Sequence, residues 1–171
     1  MGIIGTFEGS ASNPLWLYDG NNKTNGWISG VTTNSGQSAG GDPYADDMSL
    51  SIGPVSQNAT VWCLGRYSNG IILTSYKTLH LMITTYYSAS SGSTQLIARA
   101  GVGSTSMSGN SFSSAVDLSL NQSGGHFVND VTYNINISSL SGTYCVYMYA
   151  YLQAPTKSRQ VKLIIGKAWL D

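Results

Sequence analysis

The sequence predicts an all-β chain, an antiparallel two-sheet sandwich of jelly-roll type. Three observations carry that expectation. Apolar residues recur with a period of two in one segment after another, and clusters of Gly, Asn, Asp and Ser separate those segments. No long stretch carries a capped helical stripe.

The elements follow in chain order. The first 45 residues are the least regular, broken by Asp19-Gly20-Asn21-Asn22, Asn34-Ser35-Gly36 and Gly40-Gly41-Asp42-Pro43. They are expected to wrap the sandwich or to meet a neighbouring chain. Short strands are expected over 49–52, 59–64 and 70–73. The clearest alternation comes next: Leu79, Leu81 and Ile83 share one face, and Thr78, His80 and Thr84 share the other. Tyr86 and Tyr87 end this strand and are expected at a sheet edge.

A strand over 94–102 leads into the serine-rich stretch 101–114, which reads as a hairpin or surface loop, and then into a strand over 114–120. Val131, Tyr133, Ile135 and Ile137 alternate with Thr132, Asn134, Asn136 and Ser138, and a further strand covers 143–153. Near the end, Val161, Leu163, Ile165 and Trp169 alternate with Gln160, Lys162, Gly166 and Ala168. Four of the eight basic residues fall between Lys157 and Lys167, which marks an edge strand protected by lysines. One domain spanning residues 1–171 accommodates all of this.

Composition narrows the function. The chain has 8 basic and 8 acidic residues, a net charge of zero and only 9% charged residues, against roughly 25% in an ordinary soluble domain. Nucleic-acid binding through a basic surface is excluded, because phosphate neutralisation needs clustered Lys and Arg. Apolar runs are interrupted too often for membrane insertion. The segment Met1–Glu8 has neither a basic start nor a long apolar stretch, so no secretory signal is expected. A neutral surface offers little protection against association, which suits a homo-oligomer or a part of a larger assembly.

Catalysis is poorly served. Glu8 is the single glutamate, His80 sits on the polar face of a strand, and His126 follows Gly124-Gly125. No His-Glu-x-x-His zinc motif occurs and ionisable groups are scarce, so binding rather than chemistry is expected, with no cofactor. The clustered acids Asp42, Asp46 and Asp47 read mainly as a solvated turn, with a structural calcium site as the alternative. Cys63 and Cys145 lie in apolar strands without metal-ligand spacing and read as buried thiols, a disulfide being the alternative.

Aromatic residues give the binding candidates. In the segment 143–153, Val146, Met148, Ala150 and Leu152 form a core face, leaving Tyr147, Tyr149 and Tyr151 in a row on the other. Such a stripe suits a sugar ring, with a flat apolar surface and a hydroxyl at its rim. It equally suits a subunit interface or packing under the chain's own loops. Trp27, in Thr24-Asn25-Gly26-Trp27-Ile28, is either an exposed binding aromatic or a plug in the sandwich. Trp62 and Trp169 fall within strands and are expected in the core.

Several segments carry a resemblance. Leu15-Trp16-Leu17-Tyr18-Asp19-Gly20, followed by Asn25-Gly26-Trp27, is similar to the starts of tail-associated domains in gut-bacterial phages and prophages. Ile72-Leu73-Thr74-Ser75-Tyr76-Lys77-Thr78-Leu79 resembles their apolar, Thr, small, Tyr, then strand segment. Ile137-Ser138-Ser139-Leu140-Ser141-Gly142-Thr143-Tyr144 resembles the approach to their penultimate strand, and Ala168-Trp169-Leu170 their aromatic ending. The resemblance implies a β-sandwich of carbohydrate-binding-module type on a tail fibre, baseplate or minor structural protein. It implies a virion or extracellular location, with cell-surface glycan or other virion subunits as partners. A purely structural oligomer-forming subunit, or a secreted bacterial carbohydrate-binding module, is the alternative. No shared motif fixes the binding residues.

Overall fold

Alternation decides which side of each segment turns inward, and the outcome is twelve strands among the described residues. The structure is a computed structural model that describes residues 13–37, 43–46, 48–53, 57–88, 95–120, 126–154 and 160–171. The early strands are β1 (Leu15–Tyr18), β2 (Trp27–Gln37), β3 (Pro43–Ala45), β4 (Ser49–Ile52), β5 (Ala59–Ser68) and β6 (Ile71–Ile72). The later ones are β7 (Thr78–Ser88), β8 (Gln95–Gly103), β9 (Ser114–Asp117), β10 (His126–Asn136), β11 (Thr143–Ala154) and β12 (Gln160–Leu170).

Two antiparallel sheets result. The first runs β10-β7-β12-β4-β3, with β1 also paired to β12; the second runs β2-β5-β11-β8-β9, with β6 also paired to β11. Within them, β10-β7-β12-β4 stands against β5-β11-β8-β9. The chain changes sheet from β1 to β2, from β2 to β3, from β4 to β5, from β6 to β7, from β7 to β8, from β9 to β10, from β10 to β11 and from β11 to β12. That winding is a jelly roll, as the alternation predicted.

The core lies between the sheets. Leu50, Leu79, Leu81, Ile83, Leu163 and Ile165 from the first sheet meet Val61, Ala98, Ala100, Met148, Ala150 and Leu152 from the second. Large residues on one side face several small ones on the other, which lets the layers interdigitate. Each fully buried Leu or Ile contributes about 1.5–3 kcal/mol.

Several expectations are corrected. The first 45 residues supply β1, β2 and β3, which pair with β12, β5 and β4; for β1 and β2 the turn-rich composition conceals pairings made with later segments. β12 is a central strand, not a protected edge, with β7 on one side and β4 and β1 on the other. Tyr86 and Tyr87 are not at an edge either, since β7 lies between β10 and β12. Tyr87 is buried in the core, and Tyr86 points outward.

Trp169 is displaced by a bulge. Ile165 pairs with Ile83, and the next pairing joins Lys167 to Met82, so β12 carries one extra residue there. The inward set therefore changes from Val161, Leu163 and Ile165 to Ala168 and Leu170, and Trp169 turns outward. Trp62 also faces outward, because Val61 and Cys63 take the inner positions of β5.

Candidate functional site

Of the tyrosine stripe, the first two residues are packed within the chain. Tyr147 is 1% exposed and Tyr149 7%, in a cluster with Leu64, Met107 and Cys145 on the outer side of the second sheet. The loop between β8 and β9 lies over Tyr147, whose hydroxyl donates to the Ser104 carbonyl at 2.8 Å. Burial pushes the Tyr147 phenol up to about 12 and also raises that of Tyr149. Tyr151 is half-buried beside Trp62 and Ile97.

Trp27 is elsewhere. It is buried in the inter-sheet core, stacked on Tyr18 with ring centroids 6.0 Å apart and tilted against Tyr67 at 6.1 Å. Asn25 (φ 48°) and Gly26 (φ 86°) make the left-handed turn that swings Trp27 back inward. The stripe and Trp27 thus lie on opposite sides of the second sheet and form no common site.

Asp42 and Asp47 lie outside the described residues. Asp46 Oδ1 accepts from Ser49 N at 2.8 Å, Ser49 Oγ at 2.7 Å and Met48 N at 3.3 Å. Burial pushes this carboxyl up, but the bonds from Ser49 and Met48 outweigh it and hold it below the usual range. No cluster of three metal-ligating side chains occurs among the described residues. Cys63 and Cys145 are both buried thiols. Cys63 faces the inter-sheet core and Cys145 the outer cluster, so the sheet itself separates them.

Outside these candidates, the outer face of the first sheet carries an aromatic row. Cross-strand pairing puts Phe127 opposite Tyr86, Tyr86 opposite Lys162, Lys162 opposite Ser51 and Ser51 opposite Tyr44. The row crosses five strands, a span of about 19 Å at the usual strand spacing. Tyr44 is 46% exposed and Phe127 54%; the Tyr86 and Phe127 rings sit 4.8 Å apart. A cleft of about 280 Å³ runs along it, lined by Tyr44, Ser51, Tyr86, Phe127, Gln160 and Lys162 among others. Across Lys162 lies a second hollow of about 530 Å³, bordered by Ser29, Asp46, Ser49 and Ile164.

A second aromatic group occupies the same face about 20 Å along β7, six residues from Tyr86. Asn134, His80, Trp169 and Trp16 are consecutive cross-strand neighbours on β10, β7, β12 and β1. His80 stacks on Trp169, and Trp169 lies 5.2 Å from Trp16. The His80 nitrogens sit 2.8 Å from Asn134 Oδ1 and 2.8 Å from Asp171 Oδ2. The bond to His80 holds the Asp171 carboxyl below its ordinary value.

No family model matches this sequence, and no curated protein matches it. Among solved structures it is similar to the family 11 carbohydrate-binding module of the cellulosomal cellulase Lic26A-Cel5E of Clostridium thermocellum. There the identity is 13%, the coverage 94% of this chain and 95% of that one, and the TM-score 0.40. It is similar in the same degree to a Clostridium thermocellum family 11 module in complex with a beta-1,3-1,4-mixed-linked tetrasaccharide, at 13% identity and TM-score 0.40. That alignment covers 94% of this chain and 96% of the other.

The row was only partly visible in the sequence. Tyr86 shares the even parity of His80 and Thr84, which places it on the outward face. Tyr44, Phe127 and Lys162 come from three other strands, and only the register brings them beside it.

Proposed function

We propose that this chain is a non-catalytic carbohydrate-binding module whose ligand lies across the outer face of the first sheet. The row Phe127, Tyr86, Lys162, Ser51 and Tyr44 carries this reading, because it presents exposed rings and polar tips along one cleft. Flat aromatic surfaces cover the apolar C–H face of a sugar, while hydroxyl and ammonium groups meet its rim. Carboxylates near the face are engaged in local bonds, Asp46 with Ser49 and Asp171 with His80, which suits a platform better than acid–base chemistry.

The resemblance to phage tail-associated domains supports a virion or extracellular setting, where the glycan would be that of a host cell surface. A glycan array with the intact chain and its Tyr86→Ala and Tyr44→Ala variants tests the reading. Retention of a saccharide by the intact chain, lost in both variants with unchanged melting, is the expected result. Retention that survives both substitutions overturns it. Light scattering on the same samples tests the alternative of a structural subunit, for which Tyr44 and Phe127 would be interface residues and the chain would self-associate.

A further inference from the structure

We infer that the face selects an acidic saccharide, a sugar ring bearing a carboxylate or phosphate group that pairs with the Lys162 ammonium. The inference rests on the proposed glycan platform and specifies its ligand.

Lys162 is central to the row, with Tyr86 on one side and Ser51 on the other. It borders both hollows of the face and is, among the described residues, the one charged side chain lining the 280 Å³ cleft. Among the described residues its ammonium makes no hydrogen bond or ion pair. The carboxylate that feels its charge is Asp46, which borders the other hollow and has Oδ1 engaged by Ser49 and Met48. Ser51 lies opposite Lys162, 7% exposed, and its Oγ has no partner among the described residues. A buried hydroxyl without a partner is costly in a folded chain unless a ligand or water completes it.

These groups complement an anionic sugar. A ring resting on Tyr86 and Phe127 would lie one strand spacing, about 5 Å, from the backbone that carries Lys162. An anionic substituent on that ring then reaches the ammonium, a charge-assisted bond stronger than one to a neutral hydroxyl. A neutral sugar would leave the lysine with hydroxyl partners only. The cation would then add little selectivity.

The experiment compares matched ligands. Uronic-acid oligosaccharides and sugar phosphates are titrated calorimetrically against the intact chain, each beside its neutral, carboxyl-reduced or dephosphorylated counterpart. Lys162→Gln is run in parallel, with Lys167→Gln as a control that removes the same charge from the same strand. The expected result is about tenfold tighter binding of the acidic member, a preference lost in Lys162→Gln, kept in Lys167→Gln and weakened by salt. Preference for the carboxylates or for the phosphates identifies which anion the face takes, and either supports the inference. Equal binding of acidic and neutral members, or a preference that survives Lys162→Gln, overturns the inference and leaves the platform standing. If no saccharide binds, the platform falls and the inference with it.

Discussion

His80 lies flat on Trp169, with ring centroids 4.7 Å apart and planes within 7° of parallel. Trp16 closes the other side of Trp169, so an indole from β12 is held between side chains of β7 and β1. Replacing Trp169 by Ala removes both contacts at once. Aromatic pairs are worth about 0.5–1.5 kcal/mol each beyond area burial, so Trp169→Ala should cost about 1–3 kcal/mol. Urea denaturation measures this, and near-ultraviolet dichroism should lose the coupled indole signal.

Asp171 gives a pH dependence with a defined sign. Its bond to His80 lowers the carboxyl's value in the folded chain, so the contribution is present above the ordinary Asp value. It is lost as pH falls through the lowered value. Asp171→Asn should therefore lower the melting temperature slightly at neutral pH and leave it unchanged at strongly acidic pH. The effect is small because the pair is solvent-screened, with the Asp171 side chain 48% exposed. Melting curves across pH check it.

Tyr149→Ala should behave as a packing mutation. The side chain is buried with Leu64 and Tyr147, so its removal should cost about 2–4 kcal/mol while saccharide retention persists. Tyr86→Ala should do the reverse. Running both variants through one array and one melting series separates the two sheets' outer faces.

Burial raises the Cys63 thiol to about 12 and also raises that of Cys145. Neither should react with an alkylating or disulfide reagent at pH 8 in the native state, because the thiolate is the nucleophile. Both should react fully in denaturant. Fast labelling of the native chain would contradict the burial of these residues.

Gly101→Ala should be strongly destabilising. A Cβ at Gly101 would run into the Ser114 carbonyl and the backbone of Ala115, on the strand β9 that pairs alongside β8. Backbone cannot swing away as a flexible side chain can, so a loss of about 1–3 kcal/mol is expected in chemical denaturation.

Much of the fold could be read from alternation alone. Leu79, Leu81 and Ile83, or Val146, Met148 and Leu152, declare their inward side within a few residues. Pairing is another matter. Nothing near Phe127 specifies Tyr86 as its neighbour, and nothing near Tyr44 specifies Ser51, because these contacts join segments far apart in the chain. The extra residue between Ile165 and Lys167 reverses the side on which Trp169 emerges, and a strict period of two cannot anticipate it. The stripe Tyr147, Tyr149 and Tyr151 lies opposite the core face, as strict alternation in β11 requires. The Met107 loop that covers its first member sits in a serine-rich stretch whose own pattern gives no hint of where it packs.

The central position of β12 bears on how the protein is made. Every other strand of its sheet precedes it in the chain, and β4 and β7 have no contact edge with one another until it arrives. During synthesis the apolar sides of both must wait with open hydrogen-bonding edges, the condition in which β-rich chains self-associate. Yield and solubility in a cell should therefore depend on how quickly residues 160–170 emerge and insert, and truncations that remove them should aggregate rather than fold.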